Sequence, residues 1–166
     1  MRFSTLLALL PLAISQTYAT LQRSFISADE AQTIITSAVA NAQASNITDN
    51  IAVVDPAGHL VAFLRMDGSF LGSIDISQKK AKTSILFSGV YGGQQLYPVA
   101  QPGQSLYGVQ ETNGGLVLFG GGFPIWMDGQ LIGGIGVSGG SEEQDVQVAK
   151  AGVQGLDGAS HEPPSR

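Results

Sequence analysis

Cysteine is absent from all 166 residues, which removes disulfides, thiolate nucleophiles and thiolate metal sites from consideration. Charge is scarce too. Asp, Glu, Lys and Arg make up 13% of the chain, roughly half the usual share of about 25%. Basic residues are the rarer sign, 8 against 13 acidic, for a net charge of −5. Binding nucleic acid needs a basic face, and the only basic cluster is Lys79, Lys80 and Lys82, so a nucleic-acid partner is not expected. Few charges leave much of the surface neutral, which favours self-association, and a homo-oligomer is expected. Histidine is nearly missing: His59 stands in the body of the chain and His161 in a polar, proline-containing end. A metal cage built on histidines is thereby excluded.

Long apolar runs are also missing. The run from Leu6 to Ile14 falls short of the roughly 20 residues that span a bilayer, so no membrane span is expected. With Arg2 before it and Thr17-Tyr18-Ala19 after it, the pattern is that of a secretory signal peptide over residues 1–19. A single domain over 20–156 and a flexible tail over 157–166 follow, with the mature protein in the secretory route. Asn46-Ile47-Thr48 is a glycosylation sequon.

The elements can be read from periodicity. Ser27 and Glu30 have capping-box spacing, and Ala31, Ile34, Ile35, Ala38, Val39 and Ala42 then recur on one helical face. Ile51–Asp55 and His59–Arg65 read as two strands joined at Pro56-Ala57-Gly58. A second helix from Ser73 to about Phe87 would turn Ile74, Ser77, Ala81, Ser84 and Ile85 inward, and Gly89–Gln110 has no period and reads as a long loop, of the kind that often carries function. Leu116–Phe119 reads as a strand, broken by Gly120, Gly121 and Gly122. Two more strands flank Asp128-Gly129, a tight-turn pair. A last helix from Ser141 to Gln154 would face Val146, Ala149 and Val153 inward, with Glu142, Glu143 and Asp145 as acids favoured at a helix start. The fold expected is α+β: about five strands in a largely antiparallel sheet covered by helices.

VVDPAGHLVAFLRMDG (53–68), SIDISQKKAKTS (73–84) and FGGGFPIWMDGQLIGGIGVSGGSEEQD (119–145) resemble the GlcG/HbpS family of haem-degrading or haem-binding domains, in family order from about Ser27 to Gln154. The resemblance implies a helix-flanked antiparallel sheet, symmetric oligomers, and, for some members, haem or iron as ligand. It does not fix a function, because sites are grafted onto folds.

His59 is the first candidate for a haem ligand or a general base, with a surface histidine at a hairpin edge as the plain alternative. A tyrosine of the Gly89–Gln110 loop is the second ligand candidate. Arg65 could clamp a propionate or another carboxylate, or equally serve a salt bridge; Met66 is more often a core filler than an axial sulfur. Lys80, the lysine of the family's Lys-Ala pair, could hold an acidic group or act as an amine. Gly120–Gly122 lets something come close: a ligand held on bared N–H groups, another strand, or a subunit. Phe119, Phe123, Trp126, Tyr91, Tyr97 and Tyr107 could line a slot for a planar ligand, and core packing explains the Phe residues as well. Two functions follow. One is a secreted protein binding haem or a similar planar, acid-bearing molecule. The other is a metal-independent isomerase, cyclase or hydrolase with Lys80 and His59 as acid and base and the glycine corner as oxyanion hole.

Overall fold

The structure is a computed structural model, and it describes residues 23–165. The segment read as a signal peptide lies outside the described residues. Helix α1 (Ala28–Ala44) starts at Ser27 with both halves of the capping box formed, and buries Ala31, Ile34, Ile35, Ala38 and Ala42. β1 (Asn50–Val54) and β2 (Leu60–Arg65) form the first hairpin, followed by α2 (Ser73–Leu86). The long loop holds one short helix, α3 (Gly93–Leu96), and two 3₁₀ turns. β3 (Gly122–Met127) and β4 (Gln130–Ser138) form the second hairpin, where Asp128 and Gly129 both have positive φ, as a type I′ turn requires. α4 (Glu142–Gln154) opens on a second capping box at Ser141, and β5 is the pair Ala159–Ser160.

The five strands lie in the order β2-β1-β4-β3-β5, every neighbouring pair antiparallel. Alternation along β1 explains the layers. Ile51 and Val53 join the main core with α1, α4, Ile135 and Val137 on one face, while Ala52 and Val54 meet Ala81 and Ile85 of α2 on the other. α2 sits unusually close. A Cβ on Gly136 would collide with the Ser77 carbonyl and the Ala81 amide, and one on Gly134 would come within 2.6 Å of Ser84 Oγ. Small residues on both surfaces, Ser77, Ala81 and Ser84 against Gly134 and Gly136, therefore let the helix backbone rest on the sheet.

Three expectations change. Leu116–Phe119 is not a strand. Leu116 and Val117 are buried, but the Val117 N–H donates to Thr83 Oγ1 on α2 (3.1 Å), and a Cβ on Gly93 would press on the Val117 and Phe119 carbonyls. The apolar run reports burial under the loop rather than pairing in the sheet. The fifth strand comes instead from the expected tail: Ala159 and Ser160 pair with Met127 and Trp126, and the His161 ring meets Phe123 edge-on at 5.5 Å. In α4 the buried residues are Asp145, Val148, Ala149, Gly152 and Val153, with Val146 only half-buried.

Candidate functional site

Asp49 at the start of β1, Lys80 on α2, Gly120–Gly122 and Asp145 on α4 come together at one end of the sheet. Lys80 Nζ donates to Asp145 Oδ2 at 2.6 Å and to the Val137 carbonyl at 2.8 Å, and it stands 4.8 Å from the Phe119 ring centroid. Asp145 Oδ1 accepts from the N–H groups of Gly139 (3.2 Å) and Gly140 (2.9 Å). Since α2 and α4 cover opposite faces, the lysine passes the point where β3 begins. That point is the glycine triplet. A Cβ on Gly121 would come within 2.8 Å of both Lys80 Nζ and Asp145 Cβ, and one on Gly122 would run into the Lys80 carbonyl. The triplet is where backbone makes way for a buried ion pair. The Gly120 N–H is already taken by Glu142 Oε1 at 2.7 Å, so it is not a bared donor for an oxyanion.

Asp49 is fully buried, and neither carboxyl oxygen has a hydrogen-bond partner among the described residues. Burial, and then the nearby Asp145 charge, push its pKa up to about 6, against a smaller pull down from Lys80. The Gly140 N–H is committed to Asp145, so it acts on Asp49 as a dipole only. Burial also drives Lys80 down and Asp145 up, towards their neutral forms, and their mutual contact draws each back. Two carboxyls around one ammonium leave a surplus buried charge unless one is protonated. Below about pH 6, Asp49, lacking donors of its own, is that one. The Lys80 side chain has no exposed surface, so its interior partner stands where a ligand was expected.

Helical spacing carried part of this. Lys80 recurs with Ser77, Ala81 and Ser84, and Asp145 with Val148, Ala149, Gly152 and Val153, so both charges fall on inward faces. Reading Asp145 only as a helix-start acid missed that phase. Asp49 gave no such signal, being one polar residue before a strand.

His59 lies at the opposite end of β1, in the turn between β1 and β2. Asp55 builds this turn. Its Oδ1 accepts from the N–H groups of Ala57 (2.8 Å) and His59 (3.0 Å), and its Oδ2 stands 3.4 Å from His59 Nδ1. A carboxylate beside Nδ1 favours a proton on that nitrogen and leaves the Nε2 lone pair free. The imidazole is 81% exposed. Beside the turn, between α2 and the Gly114-Gly115 bend, lies a cleft of about 210 Å³ flanked by Gly58, Leu60, Lys79 and Lys82. Lys79 is paired with Asp75 at 2.7 Å, and Lys82 donates to the Asn113 carbonyl at 3.1 Å.

The sequence candidates thus do not form one pocket within the chain. Arg65 is exposed at the far end of β2, about 20 Å from His59 at the usual rise per strand residue. Met66 is engaged as packing, its sulfur accepting the Asp49 N–H at 3.4 Å. Tyr91, Tyr97 and Tyr107 are exposed on the loop. Among the described residues no helix is long and apolar enough to cross a membrane.

Comparison with known proteins gives a consistent answer. The family model HbpS-like, described as haem degrading protein HbpS-like, matches residues 26–154. The Klebsiella pneumoniae protein ORFY superposes with a TM-score of 0.80 at 35% identity, covering 86% of this chain and 97% of that one. The structure of a PduOC:heme complex superposes with a TM-score of 0.76 at 33% identity, covering 82% and 98%. The corrinoid adenosyltransferase PduO of Salmonella typhimurium is 36% identical over 126 residues, 75% of this chain but only 37% of that enzyme's length.

Proposed function

This chain belongs to the HbpS-like family of haem-degrading proteins, and from that premise we propose that it binds haem, or a similar planar acid-bearing molecule, with His59 as the residue that would hold the iron. The observation that carries the reading is the Asp55–His59 turn. It holds the histidine backbone on Asp55 Oδ1 and sets Oδ2 against Nδ1, so that the exposed nitrogen is the one able to bind iron. The neighbouring cleft supplies Lys79 and Lys82 for the acid groups of the ligand. Bound there, haem would supply the iron to which Nε2 is offered, and the chain's residues would hold its position. The haem-bound PduOC fold at 33% identity supports the ligand class. At about 210 Å³ the cleft is smaller than the 300–1,000 Å³ of most complete ligand sites, so it takes an edge of the molecule, and a second copy of the chain covers the rest. Export through the secretory route, release of residues 1–19 and glycosylation at the exposed Asn46 belong to the same proposal, as does a homo-oligomeric state.

The alternative, a metal-independent isomerase, cyclase or hydrolase, has less support, because Lys80 is enclosed and the Gly120 N–H is occupied. Haemin titration followed by absorbance tests the proposal. The expected result is a saturable, red-shifted Soret band in the native protein that His59→Ala abolishes and that haemin dimethyl ester reproduces only weakly. A band of undiminished affinity in His59→Ala removes His59 from the site, and no saturable band removes haem.

A further inference from the structure

We propose a second small-molecule site, for a compact aromatic or alicyclic carboxylic acid, in the cleft over Trp126. It is independent of the haem reading and shares no lining residue with the lysine cleft. The cleft lies between the C-terminal end of α2 and the β3–β4 hairpin, measures about 450 Å³, and has Ile85, Leu86 and Leu131 as apolar lining with Pro56 as a further wall. That volume suits a whole small ligand.

Two features mark it as built. The indole of Trp126 is held in place from above: Ser88 (φ +57) and Gly89 (φ +67) turn consecutively through the left-handed region, and a Cβ on Gly89 would stand 2.7 Å from the indole Cζ2 and 3.1 Å from Leu131 and Pro124. A non-glycine residue in that region is strained, and here the strain brings the chain down onto the ring. The second feature is the indole nitrogen, which is buried and meets no hydrogen-bond acceptor among the described residues. Buried N–H groups in folded proteins normally find a partner, and a small rotation of the ring as a ligand enters would bring this closed-off nitrogen to an oxygen of that ligand.

The remaining polar groups select the ligand's charge. Arg23 lines the cleft and can only donate. Gln130 lines it too, and its carbonyl oxygen is already used by the Ser24 hydroxyl at 2.9 Å, which leaves its amide N–H groups. Two donors line the cleft above an apolar floor, the guanidinium and the Gln130 amide, and match a ring bearing a carboxylate, with the guanidinium as the charged partner.

Trp126 is the only tryptophan in the chain, so emission reports on this ring alone; the ring also borders a cleft beside Ser160, which has no Arg23 in its lining, and the Arg23 variant separates the two. The experiment titrates the protein with 3-phenylpropanoate and, in parallel, with the neutral 3-phenylpropan-1-ol. The expected result is a saturable change in indole emission with the acid, at least tenfold weaker with the alcohol. Arg23→Gln should weaken the acid by about tenfold or more, the loss of one charge-assisted hydrogen bond, while His59→Ala leaves the curve in place. Arg23 is exposed, so that variant should fold. The proposal is overturned by an unchanged emission with millimolar acid, by equal responses to acid and alcohol, by an Arg23→Gln curve identical to the native one, or by loss of the response in His59→Ala, which would make this cleft part of the haem site.

Discussion

The buried triad of Asp49, Asp145 and Lys80 decides how this protein responds to pH. The folded state holds a proton on Asp49 up to about pH 6, whereas an unfolded Asp releases it near 4. The folded form therefore binds more protons between those values. The stabilisation from this group is complete below about pH 4 and disappears as pH rises through 6. At about 1.4 kcal/mol per pH unit, the window is worth of order 3 kcal/mol. In a His161→Gln background, which removes the opposing titration of a histidine that burial pushes down, urea unfolding should accordingly give a lower midpoint at pH 7 than at pH 5. In Asp49→Asn, where the amide imitates the protonated acid, that dependence should flatten; a slope as steep as the native one would assign it to another group. Asp145→Asn removes the partner of a buried ammonium, and should cost about 3–5 kcal/mol, as breaking a buried pair does.

The contact between α2 and β4 is set by residues without side chains to spare. A Cβ on Gly136 meets backbone atoms of Ser77 and Ala81 that cannot step aside. Overpacking of this kind costs about 1–3 kcal/mol or more, so Gly136→Ala should lower the thermal midpoint by several degrees in calorimetry. Gly72 is the contrast. It precedes α2 with φ −63 and ψ −27, and a Cβ there has no neighbour within 4 Å. Gly72→Ala should be neutral or raise stability by about 0.4–1 kcal/mol, because alanine loses less chain entropy on folding. Equal losses in the two variants would mean that β4 and α2 are less tightly apposed than described.

As a whole, the molecule exposes apolar surface that a lone domain of low charge has little means to offset. Phe70 and Leu71, ahead of α2, are 70% and 69% exposed, and Tyr91, Tyr107 and Phe119 lie open on or beside the long loop. β2 is the outer strand on one side of the sheet, while β5 partly covers the other. Edges and patches of this kind are usually covered by another chain. Light scattering should therefore find a multiple of the chain mass. Phe70→Ser with Leu71→Ser should reduce that mass without changing the far-ultraviolet dichroism, and should weaken haemin binding in step if a second copy completes the haem site.

Local pattern was enough for α1, α2, α4, both hairpins, both capping boxes and the antiparallel α+β class, since each depends on a period, a cap or a turn pair within about 15 residues of sequence. The same local view read Leu116–Phe119 as a strand and the chain end as free, because an apolar run records burial but not the surface that buries it. Lys80, Gly120–Gly122 and the Asp145 segment were visible as separate motifs. Only tertiary structure made them one object, by placing α2 and α4 on opposite faces and letting the lysine cross where the glycines leave space. His59 and Arg65 sit in one short stretch of sequence, yet an extended strand carries them about 20 Å apart. Residue types thus declared what chemistry was available, and the distances fixed by packing decided which groups neutralise one another inside and which stay open to a ligand.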